Sequence, residues 1–170
     1  MTYTLRLGID PIPASSRRAT LANLLPANQW DHIRRCVYRN ARHRCQVCGR
    51  EGKMYAHEKW QFNEQTGYQS LRGFEALCEK CHKVKHLFFV KEPRQRAILF
   101  QHFLTVNKIS WDEGIQYLVG INSRRQRLNR QKWIVNFGQW NWQIPATQTI
   151  DRRRSYARGN HPTYSQSEAW

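Results

Sequence analysis

The chain of 170 residues is long enough for one domain with extensions, and it carries 28 Lys and Arg against 12 Asp and Glu, a formal net charge of +16. It has no long apolar run and no short apolar core near its first residues, so a membrane span and a secretion signal are both set aside and a soluble, cytoplasmic protein is expected. The charge is uneven: eight basic residues stand against two acidic ones over 1–44, seven against five over 45–90, nine against three over 91–145 and four against two over 146–170, a pattern that suits a polyanion lying across basic flanks of a nearly neutral centre.

Residues 1–27 hold three of the six prolines and no sustained period. They read as an extended N-terminal arm whose Pro11-Ile12-Pro13 and Leu24-Leu25-Pro26 segments lie over the domain as apolar staples. A helix is expected from about 28 to 41, with Asn28 as N-cap, Asp31 in its first turn and Trp30, Ile33, Val37 and a buried Cys36 as its apolar stripe. Arg34 and Arg35, with Arg39 and Arg42, fall toward the other side and are candidates for contact with DNA.

Four of the five cysteines form two C-x-x-C pairs, Cys45 with Cys48 and Cys78 with Cys81, separated by 29 residues. In a reducing compartment that spacing favours a metal over disulfides, and four thiolates around one tetrahedral ion suit a structural Zn²⁺. Gly49 permits the tight turn of a zinc knuckle. Met54 to Phe62 then reads as a strand, Gly67 to Leu71 as its antiparallel return, and the segment from Cys78 to about Phe89 as a helix carrying His82, Lys83, Lys85 and His86. Knuckle, hairpin and helix make a treble-clef-like ββα unit of roughly forty residues, too small to be stable without its metal.

Pro93 in the first turn starts a further helix through about Val106, with Ala97, Phe100, Phe103 and Leu104 on its apolar face. Ser110 and Glu113 form a capping box that opens the last long helix, continued by Ile115, Leu118, Val119 and Ile121 or Leu128. Its end, Arg124 to Lys132, is densely basic, and Arg124, Arg125, Arg127 and Arg130 are candidates for phosphate contact. Trp133, Phe137, Trp140 and Trp142 follow as a hydrophobic anchor. Residues 146–170, with Arg152-Arg153-Arg154, read as a flexible basic tail that adds non-specific DNA affinity or binds a protein partner. The expected fold is α+β and mostly helical: an arm over 1–27, a helix plus zinc-bound module over 28–90, a basic helical extension over 91–145 and a tail over 146–170.

Three imidazoles stand within or just past the cysteine frame. A neutral imidazole on a partly buried strand is a suitable base near neutral pH, which assigns that role to His57. His82 and His86, one helical turn apart, can aim two nitrogens at one divalent ion.

The run C-x-x-C-G at Cys45 to Gly49, His57-Glu58-Lys59-Trp60, Gln69, and Leu77-Cys78-x-x-Cys81-His82-x-x-x-His86 resembles the HNH endonucleases, and more closely their small bacterial and phage members whose strand reads H-E-x-W. The likeness extends loosely from Trp30 to about Trp142. It implies a ββα-metal core and metal-dependent hydrolysis of phosphodiester bonds in DNA, as a nick or a double-strand break, in a bacterial or phage-infected cell; RNA is left open as a substrate. His82 matches the family's final histidine and His86 an extra helix histidine of some members, so both would hold a catalytic Mg²⁺ or Mn²⁺, with Ni²⁺ and Zn²⁺ as alternatives. Lys83 and Lys85 are then phosphate clamps. Two departures stand out. Ala56 occupies the place where many members carry an acidic or histidine ligand, leaving Glu58 as a candidate that needs a bulge to reach the site. The middle asparagine is replaced by Arg72-Gly73-Phe74, leaving Asn63 or Gln69 for its structuring role. The alternative is a catalytically inactive, zinc-stabilised module that binds nucleic acid or a protein, as a phage-encoded regulator or inhibitor would. Sequence specificity and oligomeric state are not legible.

Overall fold

Two antiparallel strands, β1 (Met54–Asn63) and β2 (Tyr68–Cys78), form the centre of a computed structural model that describes residues 5–138. Before them come α1 (Leu21–Leu24) and α2 (Ala27–Asn40); after them come α3 (Glu79–Lys85), α4 (Pro93–Asn107), α5 (Trp111–Leu128) and β3 (Ile134–Asn136). The arrangement is α+β, with the strands in the order β1-β2-β3. Among the described residues, no helix is long and apolar enough to cross a membrane.

The hairpin is longer than the sequence suggests because its alternation is interrupted once and then resumes. Lys59 pairs with Gly73 but Trp60 pairs with Leu71, so Arg72 is an extra residue, and Gly73 at φ +141° takes the backbone conformation that the bulge needs. The Arg72-Gly73-Phe74 segment therefore lies inside β2 rather than beyond it. Before and after the bulge, Glu58, Trp60, Leu71 and Phe74 share one face, and His57, Lys59, Gln61 and Asn63 share the other.

The Glu58 face is covered by α1 and α2. Leu21, Leu25, Ile33, Leu71 and Phe137 are buried together there, with Trp30, Val37, Trp60 and Phe74 packed around them. The strand β3, absent from the sequence reading, runs parallel to β2 with Ile134 opposite Tyr68. It brings Phe137 to within 5.8 Å of Trp60 and Trp133 to within 4.9 Å of Phe62, measured between ring centroids. Trp140, Trp142 and the tail over 146–170 lie outside the described residues.

The second, larger core joins the arm to the cysteine module and α4, and its members include Leu7, Ile9, Leu77, Val84, Leu87, Phe100, Phe103 and Leu104. The arm is part of the interior, not an overlay. The Leu7 N–H donates to Asn107 Oδ1 (3.0 Å) and the Asn107 amide donates back to the Leu7 carbonyl (2.9 Å). The Ile9 N–H donates to the Tyr117 hydroxyl (3.1 Å), and Arg6 donates to the Val47 carbonyl (2.7 Å). Each bond pairs an irregular segment with a partner far along the chain, which is why no local period announces it.

The helices differ from expectation mainly at their ends. Pro26 takes the N-cap position of α2, so Asn28 lies within the first turn, and Cys36 is half-buried rather than buried, accepting from Arg39 at 3.4 Å. α3 stops at Lys85 and a separate 3₁₀ turn covers Leu87–Phe89. The Glu92 carboxylate caps α4 by accepting from the N–H of Arg94 (2.7 Å) and of Gln95, while Ala97 is exposed. Ser110 and Glu113 form the capping box of α5, which ends at Leu128 rather than near Lys132. Leu118 and Ile121 pack inward from α5 and Leu128 is buried, whereas Ile115 and Val119 face solvent. Gly114 lets α5 approach α4, since a Cβ there would overlap Leu104 and Phe100. Gly114→Ala is expected to destabilise the fold by about 1–3 kcal/mol, read from denaturant midpoints with zinc saturating; an unchanged midpoint contradicts this packing.

A candidate metal centre of four cysteines and three histidines

The cysteine frame is set by backbone turns at two corners of the hairpin. After α2, Arg42 and His43 both have positive φ (52° and 54°) and Gly49 has φ +77°, and the Gly49 N–H donates to the Cys45 carbonyl (2.8 Å) while the Cys45 N–H donates to the Arg50 carbonyl (2.9 Å). Gln46 fastens this knuckle to β2: its N–H donates to the Ala76 carbonyl (2.9 Å), and its side-chain oxygen accepts from the Ala76 N–H (2.8 Å). Cys78 ends β2 and Cys81 lies one turn into α3. The four sulfurs consequently lie within 4.8 Å of one another, with Cys48 and Cys78 Sγ 3.6 Å apart.

That crowding suits a cation. Sharing the Cys81 proton pulls the Cys45 thiol well below its ordinary value, whereas the same bond and burial push Cys81 far up, and burial raises Cys78. Negative charge on one sulfur thus opposes charge on the next, and a divalent ion is what relieves the conflict. The set can hold a metal such as zinc. His102 of α4 places Nε2 3.2 Å from Cys81 Sγ, where its N–H can donate to a thiolate and tie α4 to the centre. The sequence offered no sign of this residue, since it sits in a helix with no partner nearby in the chain.

On the opposite face of β1 from Glu58, His57 meets α3. Ligand nitrogens of His57, His82 and His86 lie within 4.8 Å of one another, with ring centroids 5.5 Å apart for His57 and His82, 5.0 Å for His57 and His86 and 4.8 Å for His82 and His86. Tyr55, two residues before His57, stacks on His82 at 5.2 Å. Burial, reinforced by the neighbouring imidazoles, pushes His82 down to about 2 and His86 down to about 4, so both rings are neutral near pH 7 and their lone pairs are available to a metal.

The arm adds a carboxylate. Asp10 Oδ2 lies 2.7 Å from His57 Nε2, and the Asp10 N–H donates to the Lys85 carbonyl at 2.9 Å. Burial raises the Asp10 carboxyl, but the charge and hydrogen bond of His57, with Lys85 behind them, hold it below its ordinary value. The Asp10 carboxylate is the acceptor, and His57 Nε2 donates to it. Asp10 was missed by motif reading; the signal was that it is the sole acidic residue of 1–27.

Other candidates are placed elsewhere. Glu58 does not reach the imidazoles, because the bulge lies beyond it and strand alternation turns it to the α1 face. Its carboxylate accepts from the Leu21 N–H (2.5 Å) and from Trp60 Nε1 (3.1 Å). Lys85 turns inward, 3.7 Å from Asp10 and 3.5 Å from Glu75, and so is no phosphate clamp. Arg125 donates to the Ile12 carbonyl (3.2 Å) and lies over Phe88 and Phe89, a packing role. Arg34 and Arg35 sit on α2 across the sheet from the imidazoles; Arg34 is bonded to Asp31 at 2.6 Å and Arg35 is 75% exposed. Lys83 pairs with Glu79 (2.5 Å) at the rim of a cleft that opens on His82 and His86, Arg127 faces Glu64 (3.6 Å), Arg130 is exposed and Arg124 half-buried. Asn63 accepts from the N–H of Gln65 and Thr66 in the hairpin turn, and Gln69 is buried on the α2 side. No family model, curated protein or solved structure matches this chain.

Burial pushes Glu58 up to about 7 from 4.5, against the bonds from Leu21 and Trp60 that lower it. The folded protein then keeps a proton that the unfolded chain releases, so the stability contributed by this group is lost as pH rises from about 4.5 to about 7, while the lowered His82 and His86 act in the opposite direction over the same range. Glu58→Gln is expected to remove that contribution, so that the urea midpoint of the wild type measured against the variant, with zinc saturating, declines as pH rises through this range. A mutant profile parallel to the wild type contradicts the assignment.

Proposed function

We propose that the protein is a metal-dependent endonuclease of the ββα-metal kind that hydrolyses phosphodiester bonds in DNA. The observation that carries the reading is the meeting of His57, His82 and His86 where the hairpin joins the helix that follows the second cysteine pair, with Asp10 on His57. A structural Zn²⁺ on Cys45, Cys48, Cys78 and Cys81 holds that corner together. His82 of α3 and His86 at its C-cap present neutral imidazoles as ligands for a divalent ion, with Mg²⁺ or Mn²⁺ favoured and Ni²⁺ or Zn²⁺ also compatible with nitrogen donors. Such an ion, when bound, neutralises charge on the non-bridging and leaving oxygens of the phosphate.

The remaining work falls to this chain's own groups. His57 Nδ1 takes a proton from the attacking water, because Asp10 holds the ring in the tautomer that leaves that nitrogen bare and stabilises the cation formed when it is protonated. Asp10 thereby compensates for Ala56: the carboxylate comes from the arm, not from the strand. The reading needs no role for Glu58.

A second reading, a zinc-stabilised module that binds nucleic acid or a protein without cleaving, is favoured by the 3% exposure of His57. Plasmid nicking with a panel of the four metals, and with EDTA as control, separates the two. Cleavage is expected with at least one metal; His57→Ala should abolish it and Asp10→Ala should lower kcat roughly 10- to 100-fold, with zinc content and DNA affinity retained. No cleavage with any of these metals from about pH 6 to 9 selects the binding module.

A further inference from the structure

Among the described residues, the sheet face that carries His57 is covered at one end only. Its proximal part lies under α3, where His57 meets His82 and His86 and where Glu75 pairs with Lys85. Its distal part runs from Lys59 to Asn63 on β1 and from Tyr68 to Arg72 on β2, and there Lys59, Gln61, Asn63, Tyr68 and Arg72 are exposed and Ser70 is half-buried. Gln61, Asn63, Tyr68, Ser70 and Arg72 line a polar depression of about 170 Å³ together with Asn136 of β3.

Three features give this half-face a chemical preference. It is rich in groups that both donate and accept hydrogen bonds, and it lacks carboxylates: Glu75 is engaged with Lys85, and Glu64 in the adjoining turn faces Arg127. The bulge makes Arg72 an extra residue there, and its Nε donates to Gln61 Oε1 at 2.5 Å. Held by a neutral amide instead of an acid, the guanidinium keeps its full charge while its direction is fixed, which suits a phosphate or a base edge. The track is also continuous with the imidazoles. Gln61 lies four residues beyond His57 on the same face, roughly 13 Å along the strand, or about four steps of a nucleic-acid strand.

We propose that the distal half of the β1–β2 hairpin is the surface that grips the DNA, with one phosphate over the imidazoles and others further along the backbone against Lys59 and Arg72. This assignment rests on the nuclease reading for the identity of the polymer. It places the grip on the catalytic face, in contrast to the basic side of α2, which lies across the sheet.

The test is fluorescence anisotropy of a short labelled DNA duplex with the full-length, zinc-loaded protein, comparing Arg72→Ala, Gln61→Ala and Arg35→Ala over a salt series. Arg72→Ala is expected to weaken binding roughly tenfold and to reduce the slope of log affinity against log salt by about 1. Gln61→Ala, which keeps the charge but frees its direction, should weaken binding less while leaving the slope unchanged, and Arg35→Ala should cost less than either. Zinc content and thermal midpoint confirm that each variant is folded. Arg72→Ala within twofold of wild type, or Arg35→Ala costing more than Arg72→Ala, overturns the assignment even if the protein cleaves DNA. Binding that depends on Arg72 in a protein that never cleaves upholds the surface and overturns the nuclease reading instead.

Discussion

Four sulfurs from two distant corners of a hairpin converge within 4.8 Å, and most of what the molecule can do depends on that convergence. The knuckle between α2 and β1 brings two of them, the end of β2 and the first turn of α3 bring the others, and all these pieces meet in the larger core with the arm and α4. An ion bound by all four sulfurs would fix the angle at which α3 leaves β2. That angle determines whether His82 and His86 face His57 or face solvent. A metal bound there would serve as a corner brace within the larger core, and the bond from His102 would extend the brace to α4.

The hairpin separates two kinds of work by the simplest property of a strand. Residues of one parity, Glu58, Trp60 and Leu71 among them, face α1 and α2 and belong to the core. Residues of the other parity carry His57 at the covered end and an uncharged or cationic polar surface at the open end. Glu58 is a carboxyl next to a candidate catalytic histidine, yet it belongs to the core: two donors fasten it as a strut between the arm and the sheet, and burial favours its protonated form against them. Asp10, 47 residues away in the chain, is the acid that reaches the histidine.

Parts of this organisation were legible in the sequence, and the reasons are physical. Cysteine spacing is readable because a tight turn lets two thiols three residues apart face one point, so that two such pairs mark a candidate tetrahedral site. The capping box at Ser110 and the proline at the start of α4 are readable because helix ends leave orphan N–H groups that only a few residue types satisfy. The apolar stripe of α2 is readable from its period. The rest depended on tertiary partners with no local signature. The arm joins the core through Leu7 and Ile9 and through bonds to Asn107 and Tyr117, none of which a one-dimensional pattern encodes. Lys85 and Arg125 looked like free cations until Asp10, Glu75 and the Phe88–Phe89 pair were placed beside them. The strand β3 is three residues long and gains its identity from pairing with β2, and the outward turn of Ile115 and Val119 reflects which side of α5 meets α4.

The decisive claim is that one chain holds two chemically distinct ions, one on sulfur and one on imidazole. X-ray absorption on protein purified with zinc and then titrated with Mn²⁺ examines each element separately. The zinc edge should report sulfur neighbours alone at about 2.3 Å, and the manganese edge nitrogen and oxygen neighbours without sulfur, with the manganese signal lost in a His82→Ala, His86→Ala double variant that keeps its zinc. Manganese that binds equally well to that double variant, or zinc with mixed sulfur and nitrogen neighbours in place of four sulfurs, would contradict the two-centre arrangement.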